Sequence, residues 1–258
     1  MSRPLRWVDA WVWLVYGFMY LPIAVILIFS FNDSEMIAFP LRGFTTHWYQ
    51  AIFADTRLTG ALGLTFLVSL PVALASTLLG AMAALALTRY RLRFRVAFLV
   101  MLFVPFLIPK VILAVAQLIL LSELGIERSL WTVIAAQTII ILPFTVLVIA
   151  SVLIRIDRRL EEAAADLGAS GVSIFRRVTL PLMKNGLLAA YFIAFVLSSS
   201  EYVLTSFVSG RSQPLSILVA SDFRFNISPT LDALALLIVL ANLLLIGLGE
   251  FARLKARR

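Results

Sequence analysis

Long apolar runs separated by short polar clusters dominate the chain, and six of them approach the length of a membrane span: residues 11–31, 62–87, 96–121, 130–153, 187–208 and 231–248. About 20 predominantly apolar residues, rising ~1.5 Å each as a helix, cross the ~30 Å hydrocarbon core of a bilayer. A β-barrel would show segments of about 10 residues with alternating polarity, and these runs are too long and too uniformly apolar for that. The pattern predicts an all-α membrane protein with six transmembrane helices in one domain, residues 1–258. The first run follows Arg3 and Arg6, as a secretory signal would. It exceeds the length of a signal's apolar region and no small-residue cleavage site follows, so it reads as a retained span.

Composition agrees with the bilayer: 62% of residues are hydrophobic and 14% charged, a balance that a single water-soluble core of this size does not carry. Cysteine is absent, which excludes a disulfide framework, a thiol nucleophile and a thiolate metal site.

The 22 basic residues alternate with the spans. Arg3 and Arg6, then Arg89, Arg91, Arg93 and Arg95, fall to one side, followed there by Arg155, Arg158, Arg159, Arg176, Arg177 and Lys184, and by Arg253, Lys255, Arg257 and Arg258. Arg42, Arg57, Arg128, Arg211 and Arg224 fall to the other, and Lys110 lies within a span. The positive-inside rule puts both termini and the loop 154–186 in the cytoplasm. The net charge of +8 is therefore a topology signal. Nucleic acid is not an expected partner, because the charge is divided among juxtamembrane ends and forms no single basic face.

The outer loop 32–60 contains Thr45, His47, Trp48, Tyr49 and Phe53. Thr45 is suited to cap a short helix whose aromatic residues sit at headgroup level. His47 is the only histidine and cannot form a multi-histidine metal site, so it reads as a surface residue.

The loop 154–186 is long for a membrane protein whose other connections are mostly short. It reads as two short helices and a turn. Asp157 caps a first helix through Leu160, Glu161, Ala163, Ala164 and Leu167, with Glu161 and Glu162 near its positive end. Gly168 ends it in the left-handed conformation. Ser170 or Ser173 starts a second helix through Ile174, Phe175 and Val178, and Pro181 is expected to break the chain before the fifth span. The small alanines admit another backbone at close range. A hairpin lying on the inner membrane surface accounts for the same residues, and composition leaves the two readings level.

Glu162-Ala163-Ala164, three residues, Gly168, nine residues, then Val178-x-Leu180-Pro181 resembles the EAA loop of permease subunits in binding-protein-dependent ABC importers. Valine stands where that family usually has isoleucine, which keeps an apolar contact. The resemblance implies a type I importer permease fold in which this loop, between the fourth and fifth spans, is a coupling helix docked on a cytoplasmic ATPase. It assigns that coupling role to Glu161, Glu162, Ala163, Ala164, Asp166, Gly168, Leu180 and Pro181. It further implies a second homologous permease, an extracytoplasmic solute-binding protein, and residence in a bacterial inner membrane among its lipids. Phe29-Ser30-Phe31-Asn32, Gly43-Phe44-Thr45-Thr46 with Trp48-Tyr49, Arg89-Tyr90-Arg91 and Ser206-Phe207-Val208-Ser209-Gly210 are similar to the spermidine/putrescine branch of that family.

No Gly-x-x-x-x-Gly-Lys-Ser/Thr phosphate loop occurs, so ATP and magnesium belong to the ATPase partner and this chain is expected to bind no cofactor. Neither His-Glu-x-x-His nor a histidine base for the intramembrane serines is present, so an intramembrane hydrolase lacks its parts. A passive channel or secondary transporter remains as another class, although neither would need the Glu-Ala-Ala loop.

The polar residues within the spans are Lys110, Gln117, Gln137, Ser198, Ser199, Ser200, Glu201 and Asn242. Ionisable groups in hydrocarbon are costly and face a cavity or a partner. Lys110 and Glu201 each lie 14 residues into an outward-running span, roughly 21 Å deep at ~1.5 Å per residue. Pro105 and Pro109 bracket an expected kink just before Lys110. On one reading Lys110, Glu201 and the three serines line the outer half of a translocation path. On the other, Glu201 and Lys110 form a buried ion pair that only fixes packing. The polyamine branch carries an acidic residue near the Lys110 position. A lysine there repels a polycation unless Glu201 neutralises it, so a zwitterionic or anionic solute stands as the alternative substrate. Gly80-Ala81-Met82-Ala83-Ala84 and the Gly60, Gly63 pair offer small surfaces for helix packing, either inside the bundle or at a subunit interface.

Overall fold

The computed structural model describes residues 6–35, 37–225 and 228–255. Arg3, Arg257 and Arg258 of the charge pattern lie outside the described residues. Regular structure among the described residues is helical, apart from one isolated bridge between Asn32 and Phe44. In chain order the helices are α1 (Arg6–Ser30), α2 (His47–Ala54), α3 (Thr56–Arg89), α4 (Arg95–Leu107), α5 (Lys110–Glu123), α6 (Leu130–Leu153), α7 (Arg159–Asp166) and α8 (Gly171–Ile174). A π-helical segment, Phe175–Thr179, then leads into α9 (Leu180–Ser199), α10 (Val203–Val208), α11 (Leu215–Phe225) and α12 (Pro229–Lys255).

Four of these helical stretches are long and apolar enough to cross a bilayer: Trp7–Ser30, Thr56–Arg89, Leu130–Leu153 and Gly171–Ser199. The run 96–121, expected as one kinked span, is instead broken into α4 and α5, whose axes differ by 100°. Proline chemistry accounts for the break. A residue before proline is pushed out of the helical region, and Ile108, which precedes Pro109, is extended at ψ 133. The run 187–208 also departs from expectation, because α9 stops at Ser199 and helix resumes only at Val203.

Pro181 does not break the chain as expected. Helix runs on from Gly171 through the π-helical segment to Ser199, with Pro181 in the first turn of α9. Proline there removes an N–H from the ladder, and the wider π turn just before it re-routes the bonding, the Leu180 N–H reaching back to the Phe175 carbonyl.

The chain clusters into two compact units, one of residues 1–60 with 219–244 and one of residues 61–218 with 245–258. In the first, the chain after α1 folds back on itself. Trp48 donates through Nε1 to the Asn32 carbonyl at 2.9 Å, the Tyr49 hydroxyl donates to the Ser30 hydroxyl at 2.8 Å, and Phe31 packs on Tyr49 with ring centroids 5.2 Å apart. Of the three aromatic residues expected at headgroup level, Trp48 and Tyr49 anchor this turn. Thr46 occupies the cap position of α2, while the Thr45 hydroxyl accepts from the His47 N–H at 3.1 Å. Arg57 pairs both guanidinium nitrogens with Asp222, at 3.3 and 2.9 Å.

The second unit is organised around α6. One face of it meets Val72 and Ala73 of α3, Ala194 and Phe195 of α9, and Leu204 and Val208 of α10 through Val133, Ala136 and Ile140. A second cluster sets Val146, Ile149 and Leu153 of α6 against Ala84 and Leu87 of α3 and Met183 and Ala190 of α9. Gly80 lies against Thr145, so this small residue serves the interior of the unit, whereas a Cβ at Gly60 or Gly63 would meet nothing within 4 Å.

Candidate functional site

The first helix of the expected pair and the turn after it form, while the second is the start of the continuous stretch Gly171–Ser199. Asp157 accepts the Arg159 N–H at 3.0 Å, which satisfies one of the donors left open at the start of α7. At the other end Gly168 takes φ +83. Its N–H reaches the Ala165 carbonyl at 2.9 Å and that of Ala169 the Ala164 carbonyl at 3.0 Å, the paired bonds of a Schellman cap. Ser170, and not Ser173, caps α8, accepting the Ser173 N–H at 3.4 Å.

The two adjacent glutamates point to different sides, as a rotation of about 100° per residue requires. Glu162 is 62% exposed and pairs at 3.4 Å with Arg158, four residues earlier and just before α7. Glu161 is 16% exposed and pairs with Arg89 at 3.0 Å. Ala163, Asp166 and Pro181 are exposed, Leu180 nearly half-exposed, and Ala164 half-buried. Leu160, Leu167 and Val172 leave large apolar surfaces uncovered, Leu167 being 90% exposed. The sequence pattern did not single out Arg89 as a partner of this helix; it marked the residue by its place at the end of an apolar run and by the Arg89-Tyr90-Arg91 resemblance.

The second constellation forms where two helices are interrupted. Lys110 is the first residue of α5, directly after the Pro109 break, and Glu201 lies in the gap between α9 and α10. Lys110 Nζ donates to Glu201 Oε2 at 2.6 Å, so the two residues do occupy one level. The other carboxylate oxygen accepts the Leu204 N–H at 3.2 Å and so caps α10. The Glu201 carbonyl, freed by the break, accepts the Thr205 hydroxyl at 2.7 Å and the Ser216 hydroxyl at 3.0 Å. Glu201 is 5% exposed and Lys110 53%. An ammonium within a membrane-spanning chain is costly in hydrocarbon, which favours water or a partner on the exposed side of Lys110.

Of the three serines, only Ser198 is drawn into the interior. Its hydroxyl donates to Gln137 Oε1 and lies 3.2 Å from the Ser69 hydroxyl, while Gln137 Nε2 donates to Thr205 at 2.8 Å. The chain Ser69, Ser198, Gln137, Thr205 and the Glu201 carbonyl thus links α3, α9, α6 and α10 to the break. The Ser199 and Ser200 hydroxyls both return to the Val196 carbonyl of their own helix, at 3.0 Å. Gln117 keeps a buried Oε1 without a partner among the described residues, and Asn242 is half-buried in α12. Ser69 and Thr205 escape sequence reading because single hydroxyls are common in spans; the spacing of Thr205, four residues after Glu201, was the available clue.

Gln137 is 1% exposed and both ends of its amide are used. Gln137→Leu conserves bulk and removes both bonds, and the expected loss is about 1–2 kcal/mol. It is read as a lower unfolding temperature of the detergent-solubilised protein.

Residues 76–257 match the family described as the binding-protein-dependent transport system inner membrane component. The spermidine/putrescine transport system permease protein PotC of Escherichia coli K12 is 34% identical over 245 residues, which cover 94% of this chain and 92% of that protein. The putrescine transport system permease protein PotI of the same strain is 33% identical over 232 residues, 87% of this chain and 82% of its own. Among solved structures, a chain of a bacterial alginate ABC transporter in complex with its pentasaccharide-bound periplasmic protein superposes with a TM-score of 0.74. The match covers 95% of this chain and 92% of that chain at 16% identity, a likeness of fold.

Proposed function

The chain belongs to the family of binding-protein-dependent transport system inner membrane components, and from that premise we propose how this multi-pass transport permease is built and driven. It is one of a pair of permease subunits forming a single transmembrane domain, with α1, α3, the broken pair α4 and α5, α6, the stretch Gly171–Ser199 and α12 as its six spans. Both termini and the α7–α8 hairpin face the cytoplasm, as the basic residues favour. There α7 docks on an ATPase subunit, which binds ATP and magnesium, while an extracytoplasmic binding protein delivers the solute. The observation that carries this reading is the Glu162-to-Pro181 motif, which opens on α7, where Glu162, Leu160 and the adjoining Leu167 are uncovered.

The solute is small and carries an ammonium group, of the polyamine kind named for the relatives. Glu201 supports this, because its carboxylate already holds a primary ammonium, that of Lys110, at 2.6 Å. The half-exposed Lys110 favours a second reading, in which a zwitterion uses both charges. Binding of putrescine, spermidine and a zwitterionic amine to the cognate binding protein decides between them.

Coupling is tested at Gly168. A valine at φ +83 is strained by roughly 1–2 kcal/mol or more, enough to disturb the end of α7. Gly168→Val is expected to cut solute-stimulated ATP hydrolysis in the reconstituted complex by about tenfold. Unchanged stimulation counts against α7 as the coupling helix.

A further inference from the structure

Glu161 and Glu162 are neighbours with opposite surroundings, and the difference divides the work of α7. None of the eight residues of α7 is buried, so no apolar side chain anchors the helix in the core. What holds it is polar. The Glu161 carboxylate lies 3.1 and 3.0 Å from Arg89 Nε through its two oxygens, and it accepts the Thr179 hydroxyl at 2.8 Å. Arg89 is the last residue of α3 and also donates to the Ile156 carbonyl at 3.2 Å, in the segment leaving α6. Thr179 closes the π-helical segment at the base of α9 and is 4% exposed. One carboxylate therefore ties α7 to the ends of two long helices and, through Arg89, to the exit of a third.

We propose that Glu161 is a positioning residue that transmits displacement of α7 to α3 and α9, whereas Glu162 belongs to the outward face that meets the ATPase. This rests on the reading of α7 as the coupling helix. Charge-assisted bonds to a guanidinium are short and directional, and Thr179 adds a stubby donor with little freedom. Displacement of α7 is then passed on without slack. With the carboxylate neutralised, α7 remains available to the ATPase but its motion is lost between the hairpin and the spans.

The test uses the complete complex with its ATPase subunits. Because this chain contains no cysteine, Tyr90→Cys on the α3 side and Arg159→Cys on α7 give it a unique spin-label pair, with partner cysteines replaced. With Glu161 in place, the label distance is expected to be the same with and without ATP and vanadate. In Glu161→Gln the distribution broadens or shifts when nucleotide is added. Putrescine transported per ATP falls by about tenfold or more, the effect of one lost charged hydrogen bond, while the ATPase subunit still co-purifies. Thr179→Val gives a smaller change in the same direction, and the exchange Arg89→Glu with Glu161→Arg restores a single distance.

An unchanged distance in Glu161→Gln overturns the proposal. So does loss of the ATPase subunit from that variant, which makes Glu161 a docking contact. Should the Glu161→Gln chain itself not fold in the membrane, Thr179→Val decides, a wild-type distance in both nucleotide states being the overturning result. Failure of the unsubstituted chain to co-purify with any ATPase instead refutes the importer reading itself, before the label experiment begins.

Discussion

Glu201→Gln is expected to reduce uptake of labelled putrescine by at least about tenfold while the complex still assembles. The amide keeps the size of the side chain and an acceptor for the Leu204 N–H, and it removes the charge that faces Lys110. A hydrogen bond to a charged group contributes about 1.5–3 kcal/mol, which is roughly ten- to hundredfold in a rate or affinity. The double change Lys110→Met with Glu201→Met separates the two roles of the pair. With Glu201 buried and Lys110 half-exposed, apolar side chains of similar volume are expected to replace the pair with little loss of stability. If the pair only fixes packing, uptake therefore recovers in the double variant. If the pair lines the path, that variant is folded and inactive, which is the expected outcome; full uptake in Glu201→Gln would sink the path reading.

The second large effect is structural and falls on Gly80. A Cβ there would overlap the Thr145 hydroxyl and lie 2.9 Å from the Thr145 Cβ and 3.3 Å from its backbone carbonyl carbon. Thr145 is fully buried and donates to the Ser76 carbonyl at 2.8 Å, so it has nowhere to retreat. Forcing extra methyl groups into a close-packed contact costs about 1–3 kcal/mol, and displacing Thr145 forfeits its hydrogen bond, about 0.5–1.5 kcal/mol more. Gly80→Val is expected to leave little folded protein in the membrane, Gly80→Ala an intermediate amount, and Gly63→Ala an unchanged amount. Size-exclusion profiles of the tagged, solubilised protein give all three readings.

These two residues also mark how far sequence reaches. Lys110 and Glu201 were paired by counting depth along two apolar runs, because a helix converts residue number into height. The same count could not tell that both runs are interrupted at that height. A broken helix and a kinked one contain the same apolar residues, and what separates them is whether the residue before Pro109 goes extended. Pro181 shows the opposite error. Its ring forbids one hydrogen bond, and the expected break followed from that alone, whereas a wider turn just before it absorbs the loss.

The hairpin was legible because its caps are local: Asp157, Gly168 and Ser170 act within three residues of their own position. The side to which each glutamate turns was not legible in the same way, since Arg89 lies 72 residues away from Glu161 and the contact depends on how α3 and α6 pack. Gly80 falls between these cases. Its small size announced a close approach, and only the fold showed that the approaching helix is α6 of the same chain.

The length of α3 has a mechanical consequence. Its 34 residues make a contour of about 51 Å at 1.5 Å per residue, about 20 Å more than an untilted crossing of ~30 Å of hydrocarbon needs. Tilt or extension past the hydrocarbon takes up the excess. A helix of that reach is a lever. A tilt of only about 2° sweeps its far end through nearly 2 Å on that contour, more than a short-range hydrogen bond tolerates. The Arg89 end, paired with Glu161, is therefore where a small rotation of α3 about its other end becomes a displacement large enough to reach α7.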